Sequence, residues 1–143
     1  MASSGHRPAD RISAQVVTVD LSRELAALRA SASYRGHDHA STTLVNRSGF
    51  GAVLVALPRD GQLKNHRAKR SISIQVLEGA LRLELDSGPL DLSAGQVASL
   101  APDVRHGVSG LDDSAFLLTM GGEQPDGGQD QASLDAEASA NRE

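Results

Sequence analysis

Apolar and polar residues alternate with period two over most of the middle of the chain. Ile72, Ile74 and Val76 are separated by Ser73 and Gln75, and Leu81, Leu83 and Leu85 by Arg82 and Glu84. Successive side chains of a strand point to opposite faces, so each run predicts a strand with one apolar face. The β-branched and apolar stretches 42–46 and 52–57 predict two more strands, divided by Arg47-Ser48-Gly49. Shorter runs at 90–92, 97–100 and 115–120 complete the set. Turn residues punctuate these runs. In Pro58-Arg59-Asp60-Gly61 the proline presets φ, the aspartate caps locally and the glycine tolerates positive φ. Glu78-Gly79 predicts a tight hairpin, and Ser87-Gly88-Pro89 and Ser93-Ala94-Gly95 predict further turns. Gly107-Val108-Ser109-Gly110 also reads as turn chemistry rather than a nucleophile elbow. Many short strands with no helices between them predict an all-β sandwich or barrel and argue against a βαβ fold.

The beginning of the chain follows another pattern. The β-branched stretch 15–19 predicts a short strand. Leu21, Leu25 and Leu28 then recur at helical spacing. They predict one short helix, capped by Asp20 or Ser22 and ending near Ala30, with an apolar stripe to lay on the barrel. Residues 31–41 predict a loop. The stretches before residue 14 and after Gly121 hold almost no large apolar side chains and cannot offset their own ordering entropy. The expected organisation is a flexible tail over 1–13, one barrel domain over 14–121 and a disordered acidic tail over 122–143.

Charge narrows the partners. The chain carries a formal net charge of −4 and lacks the basic footprint that nucleic acid requires. Lys64, Arg67, Lys69 and Arg70 form a short cationic cluster without interleaved aromatics. It reads as a solvated strand end, with an anion-attracting rim at a pocket mouth as the alternative. The chain has no cysteine, which removes disulfide and thiol chemistry. No apolar run is long enough to span a bilayer and no signal-peptide core follows Met1, so the expected location is the cytoplasm, with no membrane partner. Tyr34, Phe50 and Phe116 are the whole aromatic complement, too few for a stacking platform. Gly49-Phe50-Gly51 lacks the helix, lysine and hydroxyl residue of a nucleotide loop. Glu78, Glu84 and Asp86 lie at hairpin edges and read as a solvated face.

The stretch from His66 to His106 resembles the cupin superfamily. The first cupin motif runs Gly, five residues, His-x-His, three or four residues, Glu, six residues, Gly. The second runs Gly, five residues, Pro-x-Gly, two residues, His, three residues, Asn. With Gly79 laid on the last glycine of the first motif, its first histidine falls on His66, the second on Ala68 and the glutamate on Ile72. Asp60 then stands at the opening glycine. With Gly95 laid on the first glycine of the second motif, its histidine falls on His106. Pro102 is displaced by one place, Asp103 replaces the glycine and Gly110 the asparagine. The resemblance covers roughly residues 46–120 and implies a double-stranded β-helix, or jelly-roll barrel. It places His66, Ala68, Ile72 and His106 in a ligand pocket and makes a homodimer plausible.

In that family three histidines and a glutamate hold iron, manganese, nickel or zinc. Here two of the four ligands are present, and two imidazoles alone hold a divalent ion weakly. His37-Asp38-His39 has its own His-x-His spacing, which on an extended segment puts both rings on one face and could supply the missing ligands. Three functions stay open. One is a small-molecule-binding barrel, metal-free or weakly metal-binding, such as a sensor or accessory protein, with His66 and His106 as polar contacts. Another is a metal-dependent enzyme (dioxygenase, isomerase or lyase) with His66 and His106 as ligands. The third is a structural role in which the barrel binds nothing.

Overall fold

In the computed structural model, residues 14–122 are described. The expected flexible and disordered tails over 1–13 and 122–143 lie outside them, except for Gly122. Helix α1, Leu21–Ala30, starts at the Asp20 cap, whose carboxylate accepts from the backbone N–H of Arg23. A second short helix, α2, Ala32–Arg35, follows where the sequence predicted loop. Its cause is local: the Ser31 hydroxyl accepts the Tyr34 N–H and caps the turn. Residues 15–19 form no strand. Val16 is exposed, and β1 stays the edge strand of its sheet, paired only with β2 among the described strands.

Nine strands follow among the described residues: β1 Ala40–Arg47, β2 Phe50–Leu57, β3 Gln62–Arg67, β4 Ser71–Glu78, β5 Ala80–Leu85, β6 Gly88–Ser93, β7 Val97–Leu100, β8 Arg105–Gly110 and β9 Ser114–Gly121. They make two antiparallel sheets. One has five strands in the order β1-β2-β9-β4-β7, the other four in the order β3-β8-β5-β6. Glu78-Gly79 is therefore not the tight hairpin expected but a crossover, with Gly79 at φ of 78° carrying the chain from β4 in one sheet to β5 in the other. Two of these strands run against the sequence reading. β3 is polar and shows no alternation of its own. β8 contains the glycines that read as turn chemistry, yet it is a central strand between β3 and β5. Its glycines serve close approach. A Cβ on Gly110 would meet the Pro58 carbonyl, and one on Gly107 would meet the Asn65 side chain, which lies over it.

The core follows from the alternation. Val53, Val55, Ile72, Ile74, Val76, Phe116, Leu118 and Met120 of the first sheet face Leu63, Leu81, Leu83, Leu92 and Val108 of the second. Strand β2 is buried on both faces. Ala52, Leu54 and Ala56 turn outward and are covered by Leu25 and Leu28 of α1, as the leucine stripe predicted. Arg29 of α1 also reaches Glu78 of β4 at 2.8 Å.

Turn geometry explains two departures from the cupin pattern. Asp60, at the opening glycine, has φ of 68°, and Asp103, at the second-motif glycine, has φ of 67°. Both adopt the left-handed conformation, which aspartate tolerates better than most residues. In the 58–61 turn it is therefore Asp60, not Gly61, that takes positive φ, while the Gly61 N–H closes the turn on the Pro58 carbonyl at 2.8 Å.

Candidate functional site: one end of the barrel

His66 and His106 face each other across β3 and β8, as a directly registered pair. Their ring centroids are 6.0 Å apart and the rings are nearly perpendicular. His106 is buried, and the Nε2 atom of the half-buried His66 is buried too. His106 Nδ1 lies 3.0 Å from the Val104 carbonyl. A carbonyl only accepts, so Nδ1 carries the hydrogen. Leu85 of β5 is registered opposite His106 on the other side, and with Val104 it packs on the edge of the core.

The chain from β3 into β4 supplies the rest. Within β4, Ile72, Ile74 and Val76 are buried, Ser73 is partly buried, and Ser71 and Gln75 are exposed; in the bend between β3 and β4, Ala68 and Arg70 are buried and Lys69 is exposed. The Asp103 N–H donates to the Ala68 carbonyl at 2.8 Å, and Ile72 is registered between Leu100 and Met120. Of the four residues the sequence assigned to one pocket, His66 and His106 are a registered pair, Ala68 meets the 101–104 loop through Asp103, and Ile72 lies in the five-stranded sheet.

Arg70 is the residue the sequence reading missed. It belonged to a cluster taken as solvated, but it is 2% exposed and all three guanidinium nitrogens are buried. Burial pushes its pKa below the usual arginine range. Lys64, Arg67 and Lys69 do face solvent, as expected of the cluster.

His37 and His39 do not join this site. His37 has φ of 69°, which breaks the extended conformation that would have put both rings on one face. It is exposed, whereas His39 is buried with Nδ1 at 3.1 Å from the Asp38 carboxylate. They also precede the wrong end of the sheet. Ala40 is registered with Ala56, which is registered with Ala115, while Ile72 is registered with Met120. The five residues from Ala115 to Met120 separate the ends by about 17 Å.

The residues present do not fit the metal centre that the resemblance suggested. The positions of its second histidine and its glutamate are Ala68 and Ile72, both buried and without donor atoms. Among the described residues no three His, Asp or Glu side chains gather closely enough to hold a metal ion. A separate groove of about 520 Å³ lies elsewhere, on the outer face of the four-stranded sheet. It opens where Lys64 and Asn65 bulge opposite Gly107, and Gln62, Glu84 and Ser109 also line it. Neither histidine lines it. Among the described residues no helix is long and apolar enough to cross a membrane.

No protein-family model matches the chain, and no curated protein does. Solved structures do. A conserved protein of unknown function from Streptococcus pyogenes superposes with a TM-score of 0.63 at 18% identity, covering 80% of this chain and 93% of that one. A cupin-2 domain containing protein from Shewanella frigidimarina gives a TM-score of 0.59 at 11% identity, covering 73% and 95%. An RmlC-like cupin with a double-stranded β-helix fold from Methanocaldococcus jannaschii gives 0.55 at 19%, covering 58% and 79%. At such identities the likeness is one of fold. Two facing antiparallel sheets, the motif glycines Gly79 and Gly95 both at positive φ, and these superpositions agree that the chain has the cupin fold, a double-stranded β-helix.

Proposed function

We propose that the protein binds a small molecule at the His66–His106 end of its barrel and does so without a resident metal. The observation that carries this reading is the imidazole pair itself. His66 and His106 stand side by side at one end of the barrel, in a stretch of chain where Ala68, Arg70 and Ile72 are buried. Mostly apolar walls with a few convergent polar groups are the usual anatomy of a ligand site. A sensor or accessory role is consistent with binding that needs no chemistry. Fold alone warrants no reaction.

A test is thermal melting of the full chain with EDTA present, against a set of small organic acids, amides and alcohols. At least one compound is expected to raise the melting temperature. Saturation near a hundredfold above Kd corresponds to about 2.7 kcal/mol. The shift is expected to vanish in the His66→Ala, His106→Ala double variant. Stabilisation that appears only after metal is added would contradict the reading.

One observation favours a metal-dependent enzyme as the second reading. A backbone carbonyl holding His106 Nδ1 leaves Nε2 oriented in the way common to metal-ligating histidines. Iron, manganese, nickel or zinc bound there would have His66 and His106 as its side-chain ligands from this end of the barrel. Homodimerisation and a cytoplasmic location are kept as expectations of the same proposal.

A further inference from the structure

The groove on the outer face of the four-stranded sheet is built by a slip in register. Val108 is registered with Leu63 and His106 with His66, so Lys64 and Asn65 together stand opposite the single residue Gly107. Such a bulge leaves two residues facing one, and here both are exposed. The floor is glycine because the Asn65 side chain lies over it, where a Cβ would collide. On its other side Gly107 is registered with Glu84 of β5. The space, about 520 Å³, thus has Lys64 and Asn65 on one wall and Glu84 on the other, with Gln62 and Ser109 at one end. Small-molecule sites occupy about 300–1,000 Å³.

The polar side chains that line this groove are uncommitted. Among the described residues, those of Gln62, Lys64, Asn65, Glu84 and Ser109 make no hydrogen bond or ion pair. Their neighbours on the same face do pair: Arg82 holds Asp91 through bonds of 2.7 and 3.0 Å, and the Arg67 guanidinium donates to the Asp103 carbonyl at 3.3 Å. Lys64 and Glu84 carry opposite charges but do not meet, because two strand spacings, about 10 Å, separate their backbones. A lone anion in the groove would face Glu84, and a lone cation would face Lys64. A molecule with one charge of each sign complements both walls. The apolar lining residues, Leu63 and Val108, belong to the buried core, and no aromatic ring lines the groove, which favours a polar ligand over a lipophilic or stacked one. We propose that this groove binds a small zwitterion bearing an ammonium and a carboxylate group, such as an amino acid. Glu84 receives the ammonium and Lys64 the carboxylate, and Gln62, Asn65 and Ser109 supply neutral hydrogen bonds. Arg67 and Arg105, registered one outward position beyond Gly107, add positive potential at that end. This second site lies on the opposite face of the sheet from His66 and His106, and it stands whether or not the barrel end binds a ligand.

The test is a nuclear magnetic resonance titration of the full chain, labelled with nitrogen-15 and followed at the backbone amides of Glu84, Gly107 and Ser109. The probes are glycine, 4-aminobutyrate and 6-aminohexanoate, with butyrate and butylammonium as singly charged counterparts. At least one amino acid is expected to shift these signals saturably. Butyrate and butylammonium are each expected to bind at least about tenfold more weakly than that amino acid. Lys64→Gln and Glu84→Gln are each expected to lose about tenfold in amino-acid affinity while melting at the wild-type temperature, because both side chains are exposed and away from the core. The preference over butyrate is expected to disappear in Glu84→Gln, and the preference over butylammonium in Lys64→Gln. The inference is overturned if none of the amino acids shifts the signals saturably, or if the singly charged probes bind the wild type as tightly. Unchanged amino-acid affinity in either folded variant overturns it too. Amino-acid binding that survives both substitutions but is lost in the His66→Ala, His106→Ala variant overturns it in favour of the barrel end.

Discussion

Gly79→Ala is expected to destabilise the barrel by about 3–5 kcal/mol. Gly79 links β4 to β5 with φ of 78°, a conformation that costs a residue with a Cβ about 1–2 kcal/mol. The space is closed as well. A Cβ there would come within 2.5 Å of the Ser114 hydroxyl and closer still to the Asp113 carbonyl oxygen. That hydroxyl is fully buried and fastens β9 to the β4–β5 crossover between the sheets, donating toward the Ala80 and Asp112 carbonyls and accepting the Ala80 N–H. Moving it to make room exposes buried polar groups to the loss of their partners, which adds to overpacking of about 1–3 kcal/mol. A domain of this size has about 5–15 kcal/mol in total, so a fall in melting temperature of more than about 10 °C should be seen by circular dichroism. Gly49→Ala is the control. Gly49 has φ of 83°, but a Cβ there meets nothing within 4 Å, so the conformational cost stands alone at about 1–2 kcal/mol. Equal losses in the two variants would show that the Gly79–Ser114 contact contributes nothing.

Phe116→Ala is expected to cost about 3–5 kcal/mol by denaturant unfolding. Phe116 is 1% exposed, in the middle of β9, with Val55 registered on one side and Val76 on the other. It is the largest of the fully buried side chains, facing Leu81 and Leu83 from the opposite sheet within one cluster. The strands around it are held by their ladders and collapse only partly into the vacated space, so a cavity term adds to the lost burial. The chain's other phenylalanine makes the comparison. Phe50 is 44% exposed at the first residue of β2, and Phe50→Ala is expected to change stability by less than about 1 kcal/mol. A small loss at Phe116 would mean that the two sheets do not share one packed core.

These elements differ in how far their sequence announced them. The strands carrying Ile72-x-Ile74-x-Val76 and Leu81-x-Leu83 were legible because they bury one face and wet the other. β2 was legible as an apolar run, and α1 by its leucine stripe and the Asp20 cap. β3 and β8 were not. In β3 the register slips at Lys64-Asn65, so no alternation survives along it, and in β8 glycine stands where Asn65 and Pro58 come close. Glycine marks close approach as readily as a turn, and one sequence alone does not separate the two. The candidate site was half legible. The cupin spacing pointed to both His66 and His106, which the structure registers opposite each other on β3 and β8. It did not point to Arg70, which has no place in that motif and sits among three solvated cations. The alternation of β4 begins at Ser71, and Arg70 lies in the bend before it, so no strand period announced its burial. For His37-Asp38-His39 the local spacing misled, because a left-handed His37 turns one ring out while the other is buried.

The central claim is that this barrel end is a ligand site built without a resident metal. Elemental analysis of the untagged full chain, after anaerobic loading with iron, manganese, nickel and zinc and removal of the excess, tests it most directly, beside the His66→Ala, His106→Ala variant. The account predicts far less than one metal ion per chain in both proteins. Near-stoichiometric metal in the wild type that disappears in the variant would contradict it, and would establish a two-histidine metal centre beside a buried arginine.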